Sequence, residues 1–190
     1  MLNEVVLDLE TKNSFSQARD KSDGRLFVSL VGIYRYEDDS YSVYLENELN
    51  KLWPVLERAD RIIGFNTHGF DFPVLQNYYP GSFKSFPSLD MMDDVLAALG
   101  FRVSLNNLAK GTLNQEKSGD GLQAIRLWQE QKIDELSAYC LQDVRLTKEL
   151  YEYGKKNGIL KYESKIGQGE AKVNFSPPDE IKKVNLTLPL

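Results

Sequence analysis

Glu4-Val5-Val6-Leu7-Asp8-Leu9-Glu10-Thr11 is a short apolar run that ends in acids. Its β-branched and aliphatic composition reads as a buried strand. Side chains two apart on a strand point to the same face. Asp8 and Glu10 therefore project together, while Leu9 turns to the core. Two carboxylates on one face repel each other and are expensive to bury unpaired. A hard divalent cation with oxygen ligands is the natural partner. The plain alternative is a strand that frays into a solvated acidic turn.

Outward from this strand, residues 26–36 and 40–45 read as two more strands joined by the turn Glu37-Asp38-Asp39-Ser40, a hairpin. Leu49, Leu52, Trp53 and Leu56 recur at helical spacing over residues 47–59. Arg61-Ile62-Ile63-Gly64-Phe65 is another buried strand. A helix is expected after Asp71, with Phe72, Leu75 and Tyr79 on its inner face. Short helices follow over 91–99 and 104–110, with Gly100 and Gly111 as stops. Residues 111–121 read as a loop, then helices span 121–130 and 132–153, the second ended by Gly154 and Gly158. The early hairpin implies antiparallel pairing and the later crossovers imply parallel strands. A mixed sheet with helices on its faces follows.

The chain has 190 residues, which suits one domain of ordinary size. Its 42% hydrophobic content is globular. Cys140 is the one cysteine, so no internal disulfide forms, which is compatible with a reducing cytoplasm. No apolar run approaches the roughly 20 residues that span a bilayer, and no basic n-region precedes an apolar stretch. We therefore expect no membrane association and a cytoplasmic location. The net charge of −5 counts against passive binding to long duplexes. It counts less where carboxylates hold divalent cations, each of which adds positive charge locally.

Two further segments carry chemistry. In Asn66-Thr67-His68-Gly69-Phe70-Asp71 a buried strand gives way to a polar loop and an aspartate opens a helix, which helix capping alone would explain. In Tyr139-Cys140-Leu141-Gln142-Asp143, inside the last long helix, Tyr139 and Asp143 are one turn apart on one face. Aspartate is a poor helix-interior residue. An ion pair with Arg145 or Lys148 is the plain reason for it. Asp90, Asp93 and Asp94 sit at a helix start, where acids suit the dipole. Cys140 is expected to point elsewhere on the helix, as a buried structural thiol. Lys117 is a solvated lysine or a phosphate contact.

Asp-x-Glu, then Asn-x-x-x-Phe-Asp, then Tyr-x-x-x-Asp, in this order, closely resembles the DEDD superfamily of 3′–5′ exonucleases. Ser104-Leu105-Asn106-Asn107-Leu108 also looks like the Leu-x-x-Leu helix common there. The resemblance runs from about residue 4 to about residue 153. Tyr139, four residues before Asp143, marks the DEDDy branch, which includes the proofreading domains of family B DNA polymerases. The sister branch has histidine where this chain has Ala138, and His68 is its one histidine. The resemblance implies a ribonuclease-H-like α/β fold, a mixed sheet flanked by helices, over residues 1–160. Residues 161–190 would be a C-terminal extension without an assigned role, in which 184–190 is a late strand or a loose tail.

The resemblance also implies a site and a substrate. Asp8, Glu10, Asp71 and Asp143 would hold two divalent cations, Mg²⁺ or Mn²⁺, with Tyr139 orienting the attacking water. Leu9, Thr11, Asn66 and Phe70 would border the terminal nucleotide. The substrate would be the 3′ end of single-stranded DNA or RNA. Any proofreading role would need a separate polymerase or helicase. Two rivals stand beside this reading. One is an inactive relative that binds a nucleic-acid end or a protein. The other is a phosphatase of the haloacid dehalogenase type, whose Asp-x-Asp-x-Thr motif Leu7-Asp8-Leu9-Glu10-Thr11 resembles in part, with Glu10 in place of the second aspartate.

Overall fold

The structure is a computed structural model that describes residues 2–19, 24–116, 121–165 and 167–176. Five strands form one sheet in the order β3-β2-β1-β4-β5. They are β1 (Glu4–Thr11), β2 (Val28–Arg35), β3 (Ser40–Leu45), β4 (Arg61–Gly64) and β5 (Ser88–Asp90). β1 runs antiparallel to β2 and parallel to β4, so it is the central strand where the two pairing modes meet. β2 and β3 are the expected hairpin, and β4 and β5 are parallel.

The helices are α1 (Phe15–Arg19), α2 (Leu49–Arg58), α3 (Asp71–Leu75), α4 (Met91–Leu99), α5 (Leu105–Leu113), α6 (Gly121–Gln129) and α7 (Ile133–Asn157). β1 divides the core. Val5, Leu7 and Leu9 pack with Leu52, Leu56, Phe72 and Leu75 on one face. Val6 packs with Val144, Leu146 and Leu150 of α7 on the other. Strict alternation places Asp8 and Glu10 on the α7 face, at the strand's carboxyl end.

Three short elements escaped the sequence reading: α1, β5 and the antiparallel hairpin β6 (Ile159–Ser164) with β7 (Gly167–Lys172). β5 has only three residues, too few for a periodic signal. The hairpin is anchored on α5. Thr112 Oγ1 donates to the Lys161 carbonyl at 2.7 Å and accepts from the Lys161 N–H at 2.8 Å. This corrects the expectation that Gly111 ends a helix, because α5 continues to Leu113. A Cβ on Gly111 would stand 2.6 Å from the backbone of Tyr162, so the glycine serves close approach. Gly154 likewise lies inside α7, facing the Phe175 ring, and Gly158 is the left-handed cap. Residues 117 and 184–190, for which expectations were given, lie outside the described residues.

The sheet end remote from the acids is closed by a buried ion pair. Arg61 and Glu4, paired in register, are 5% and 4% exposed. Arg61 Nη2 donates to Glu4 Oε1 at 2.6 Å, to Tyr151 Oη at 2.6 Å and to the Phe175 carbonyl at 3.0 Å. Arg61 Nη1 donates to the Ser176 carbonyl at 3.2 Å. The segment after β7 is thereby fastened to the start of the main sheet. Phe175, 1% exposed, fills the space between Tyr151 and Gly154.

Truncating Phe175 to alanine should therefore destabilise the whole protein by about 3–5 kcal/mol. Urea unfolding followed by far-ultraviolet circular dichroism and by tryptophan fluorescence would show one shifted transition. A change under about 1 kcal/mol would mean that this segment does not contribute to the global core.

Candidate functional site

The acids gather where β1, β4 and α7 meet. Side-chain oxygens of Asp8, Glu10 and Asp143 all lie within 4.8 Å of one another. Asp143 is 2% exposed and Glu10 is 8% exposed, while Asp8 is half-buried. Pairing with β2 shifts register between Glu10 and Thr11, a bulge-type irregularity next to the acids. Asp143 comes from the middle of α7, and Tyr139, one turn earlier on the same face, is also buried.

Asp71 stands outside that triad but lines the same cleft. It is the first residue of α3, with Phe70 at the cap position. Its role goes beyond helix capping, because Oδ1 accepts the N–H of Leu9 at 3.0 Å and so ties α3 to β1. Burial, followed by the nearby Asp8 charge, holds its carboxyl well above the ordinary 3.8. The ion pairs that would have explained Asp143 are made elsewhere. Arg145 lies 3.9 Å from Glu149, and Lys148 lies 3.0 Å from Glu152.

A cleft of about 390 Å³ opens over the acids. Asp8, Glu10, Asp71 and Asp143 are on its floor, and the expected Leu9, Thr11, Asn66 and Phe70 all line it. The structure adds Phe15 and Leu122, which are 61% and 60% exposed at its edge. Phe15 gave no signal in the sequence, since an isolated apolar residue looks like ordinary surface, and Leu122 falls within the expected helix 121–130, where an apolar residue is explained by packing. Among the described residues that line the cleft, none is lysine or arginine.

Cys140 corrects an expectation. Its thiol points toward the site, with Sγ 3.5 Å from Asp8 Oδ2. Gly32, opposite Asp8 in the register, makes the room, since a Cβ there would stand 2.8 Å from Sγ. Burial and the charges of Asp8, Glu10 and Asp143 push the thiol's pKa well up, which keeps it protonated. Asp90 caps α4 by accepting the Met92 N–H, as expected. His68 Nδ1 lies 2.7 Å from Asp93 Oδ2, and Nε2 lies 2.8 Å from Ser88 Oγ. His68, Asp90 and Asp93 also bring ligand-type atoms within 4.8 Å of one another.

The donor set at Asp8, Glu10 and Asp143 is all oxygen, compact and mutually repulsive. These properties fit a hard divalent cation such as Mg²⁺ or Mn²⁺. Among the described residues, no helix is long and apolar enough to cross a membrane.

Comparison with known proteins agrees with this architecture. A family model described as the RNase_H superfamily matches residues 5–154. The family B DNA polymerase of the hyperthermophilic archaeon Pyrobaculum calidifontis superposes with a TM-score of 0.62 at 18% identity, over 81% of this chain and 24% of that one. RNase D of Trypanosoma brucei superposes with a TM-score of 0.59 at 18% identity, over 80% of this chain and 57% of that one. The chain thus spans about a quarter of the polymerase and just over half of the RNase D structure. A search of curated proteins found no match.

The raised Asp71 carboxyl makes a prediction for the metal-free protein. A folded state that holds this proton more tightly than the unfolded chain loses stability as pH rises above 3.8 toward the folded-state value. Asp71→Asn keeps an acceptor for the Leu9 N–H and removes the titration. In chelator, its stability advantage over the wild type should grow as pH rises above 3.8, as read by denaturant unfolding. An advantage independent of pH would show that Asp71 ionises normally.

Proposed function

The chain belongs to the RNase H superfamily, and on that premise we propose that it is a metal-dependent 3′–5′ exonuclease acting on single-stranded DNA or RNA. The observation that carries the reading is the convergence of Asp8, Glu10 and Asp143 within 4.8 Å, with Asp71 on the same cleft and Tyr139 buried one helical turn before Asp143. These are the residues of the three motifs that resemble the DEDDy exonucleases. Family membership also leaves the phosphatase alternative without support.

In this reading Asp8, Glu10, Asp71 and Asp143 would hold two divalent cations. Bound divalent cations would supply Lewis-acid stabilisation of charge at phosphorus and a water of lowered pKa. The protein's own groups do the placing. Tyr139 offers its phenol to orient the attacking water one helical turn from Asp143. Asp71, held by the Leu9 N–H, keeps α3 against the strand that carries Asp8. Leu9, Thr11, Asn66 and Phe70 bracket the terminal nucleotide.

The preference for a single strand follows from the walls. The cleft pairs an acidic floor with apolar side chains of Phe15, Leu26, Phe70, Leu122 and Ile125. Such walls accept an unstacked base on its π-face without regard to sequence. The polarity of cleavage comes from the resemblance alone. A polymerase or helicase acting alongside would be a separate chain or a further domain.

Degradation of end-labelled single-stranded DNA and RNA, side by side, tests the proposal. EDTA should abolish it and Mg²⁺ or Mn²⁺ should restore it. A bulky group on the 3′ hydroxyl should protect the strand, whereas one on the 5′ end should not. Hydrolysis that survives exhaustive chelation, or cutting of a circular strand, would contradict the proposal. Binding has its own readout. At about 100 times Kd a cation adds about 2.7 kcal/mol, and each kcal/mol raises the melting midpoint by about 2–4 °C at this size. Asp8→Ala should lose both the shift and the activity while remaining folded.

Tyr139→Phe separates orientation from metal binding. Losing one positioning contact should lower turnover on the order of 10²-fold, with the metal-induced thermal shift retained. Asp143→Asn should lose turnover and shift together. Wild-type turnover in Tyr139→Phe would reassign Tyr139 to packing.

A further inference from the structure

The connection from β4 to α3 carries two cleft-wall residues, Asn66 and Phe70, and ends at Asp71. Asn66 has φ of 63°, in the left-handed region. Asparagine tolerates that region better than most residues, but such a conformation persists only where its surroundings hold it. The turn is also tight. A Cβ on Gly64 would stand 2.2 Å from Thr67 Cγ2 and 3.2 Å from the Leu7 carbonyl.

The group that holds the loop is Asp90, the last residue of β5 and the register partner of Gly64. It is 3% exposed, and both of its carboxylate oxygens are engaged. Oδ1 accepts the Asn66 N–H at 2.6 Å and the Met92 N–H at 3.0 Å. Oδ2 accepts the His68 N–H at 2.9 Å. Capping α4 requires only the Met92 bond, which a serine hydroxyl can accept equally well. Taking all three amides requires a carboxylate with two acceptor oxygens. The His68 ring adds a second clasp from the same corner, through Asp93 and Ser88. Asp71 is fixed in addition from β1 through Leu9.

We propose that Asp90 is a positioning residue for strand binding. It sets Asn66 and Phe70 against the terminal nucleotide by pinning the amides of Asn66 and His68. This inference rests on the nuclease reading of the cleft.

The test compares wild type, Asp90→Ser and Asp90→Ala. Serine preserves the helix cap and gives up the loop amides; alanine gives up both. Three readouts are needed: amide hydrogen exchange at Asn66 and His68, KM and kcat on a short single strand, and hydrolysis of bis(p-nitrophenyl) phosphate with Mn²⁺. The small diester has no nucleobase and senses the floor alone. For Asp90→Ser we expect a melting temperature near wild type and exchange at both amides faster by about tenfold or more. Strand KM should rise about tenfold, with the small diester changed by no more than about threefold. Asp90→Asn keeps the side chain's shape and one acceptor oxygen. It carries the same test, with the same split expected, should the serine variant fold poorly.

Wild-type strand KM in Asp90→Ser would reduce Asp90 to a helix cap and overturn the proposal. Unchanged exchange at Asn66 and His68 would overturn it as well, and so would equal losses on the strand and the small diester. A wild-type protein that hydrolyses neither substrate would instead overturn the nuclease reading, and the exchange data would still report whether Asp90 pins the loop.

Discussion

Like charges brought together away from water raise one another's proton affinity and push apart, and this fold holds carboxylates against that repulsion. Asp8 and Glu10 are forced to one side because β1 is covered on both faces and its neighbours Leu7 and Leu9 occupy the opposite core. Asp143 is carried to them by a 25-residue helix whose other buried residues pack on the same sheet. Asp71 is brought in from a third element and fastened to β1 through the Leu9 amide. No single element could impose this arrangement. It persists because the apolar packing behind each acid is worth more than the repulsion between them. A cation bound among them would relieve the remaining strain.

The two ends of β1 divide the work. At its start Glu4 is buried with Arg61 and Tyr151 in a fully hydrogen-bonded network, which also captures the chain after β7. Removing one partner of such a pair is strongly destabilising because it strands a buried charge. At its other end Asp8 and Glu10 stand with Asp143 as a cluster of acids. Glycines permit the closest approaches at both ends: Gly32 admits Cys140 beside Asp8, and Gly154 admits Phe175.

The walls of the cleft follow a different logic from its floor. Asn66 and Phe70 lie on a loop, and loops hold a defined shape only where their amides find partners. Asp90 accepts two of those amides, so its charge acts through the backbone of the loop. An acid at a helix start is ordinarily explained by the helix it begins. Here the same carboxylate also holds the loop between β4 and α3.

Much of this protein is determined by local sequence. Strand β1, the β2–β3 hairpin, β4 and the long last helix follow from periodicity and turn residues, because each is long or apolar enough to carry a pattern. The pairing of Asp8 with Glu10, and of Tyr139 with Asp143, follows from the geometry of one strand and one helix. What local pattern could not decide is everything that depends on a distant partner. Gly111 reads as a stop until β6 is seen to press its backbone against that position. Cys140 reads as turned away until Gly32 leaves it a path to Asp8. β5, with three residues, exists only because β4 supplies its hydrogen bonds. Whether the acids of three separate motifs meet, and which backbone amides Asp90 holds, are set by contacts between residues far apart in the chain, and only the tertiary structure brings those residues together.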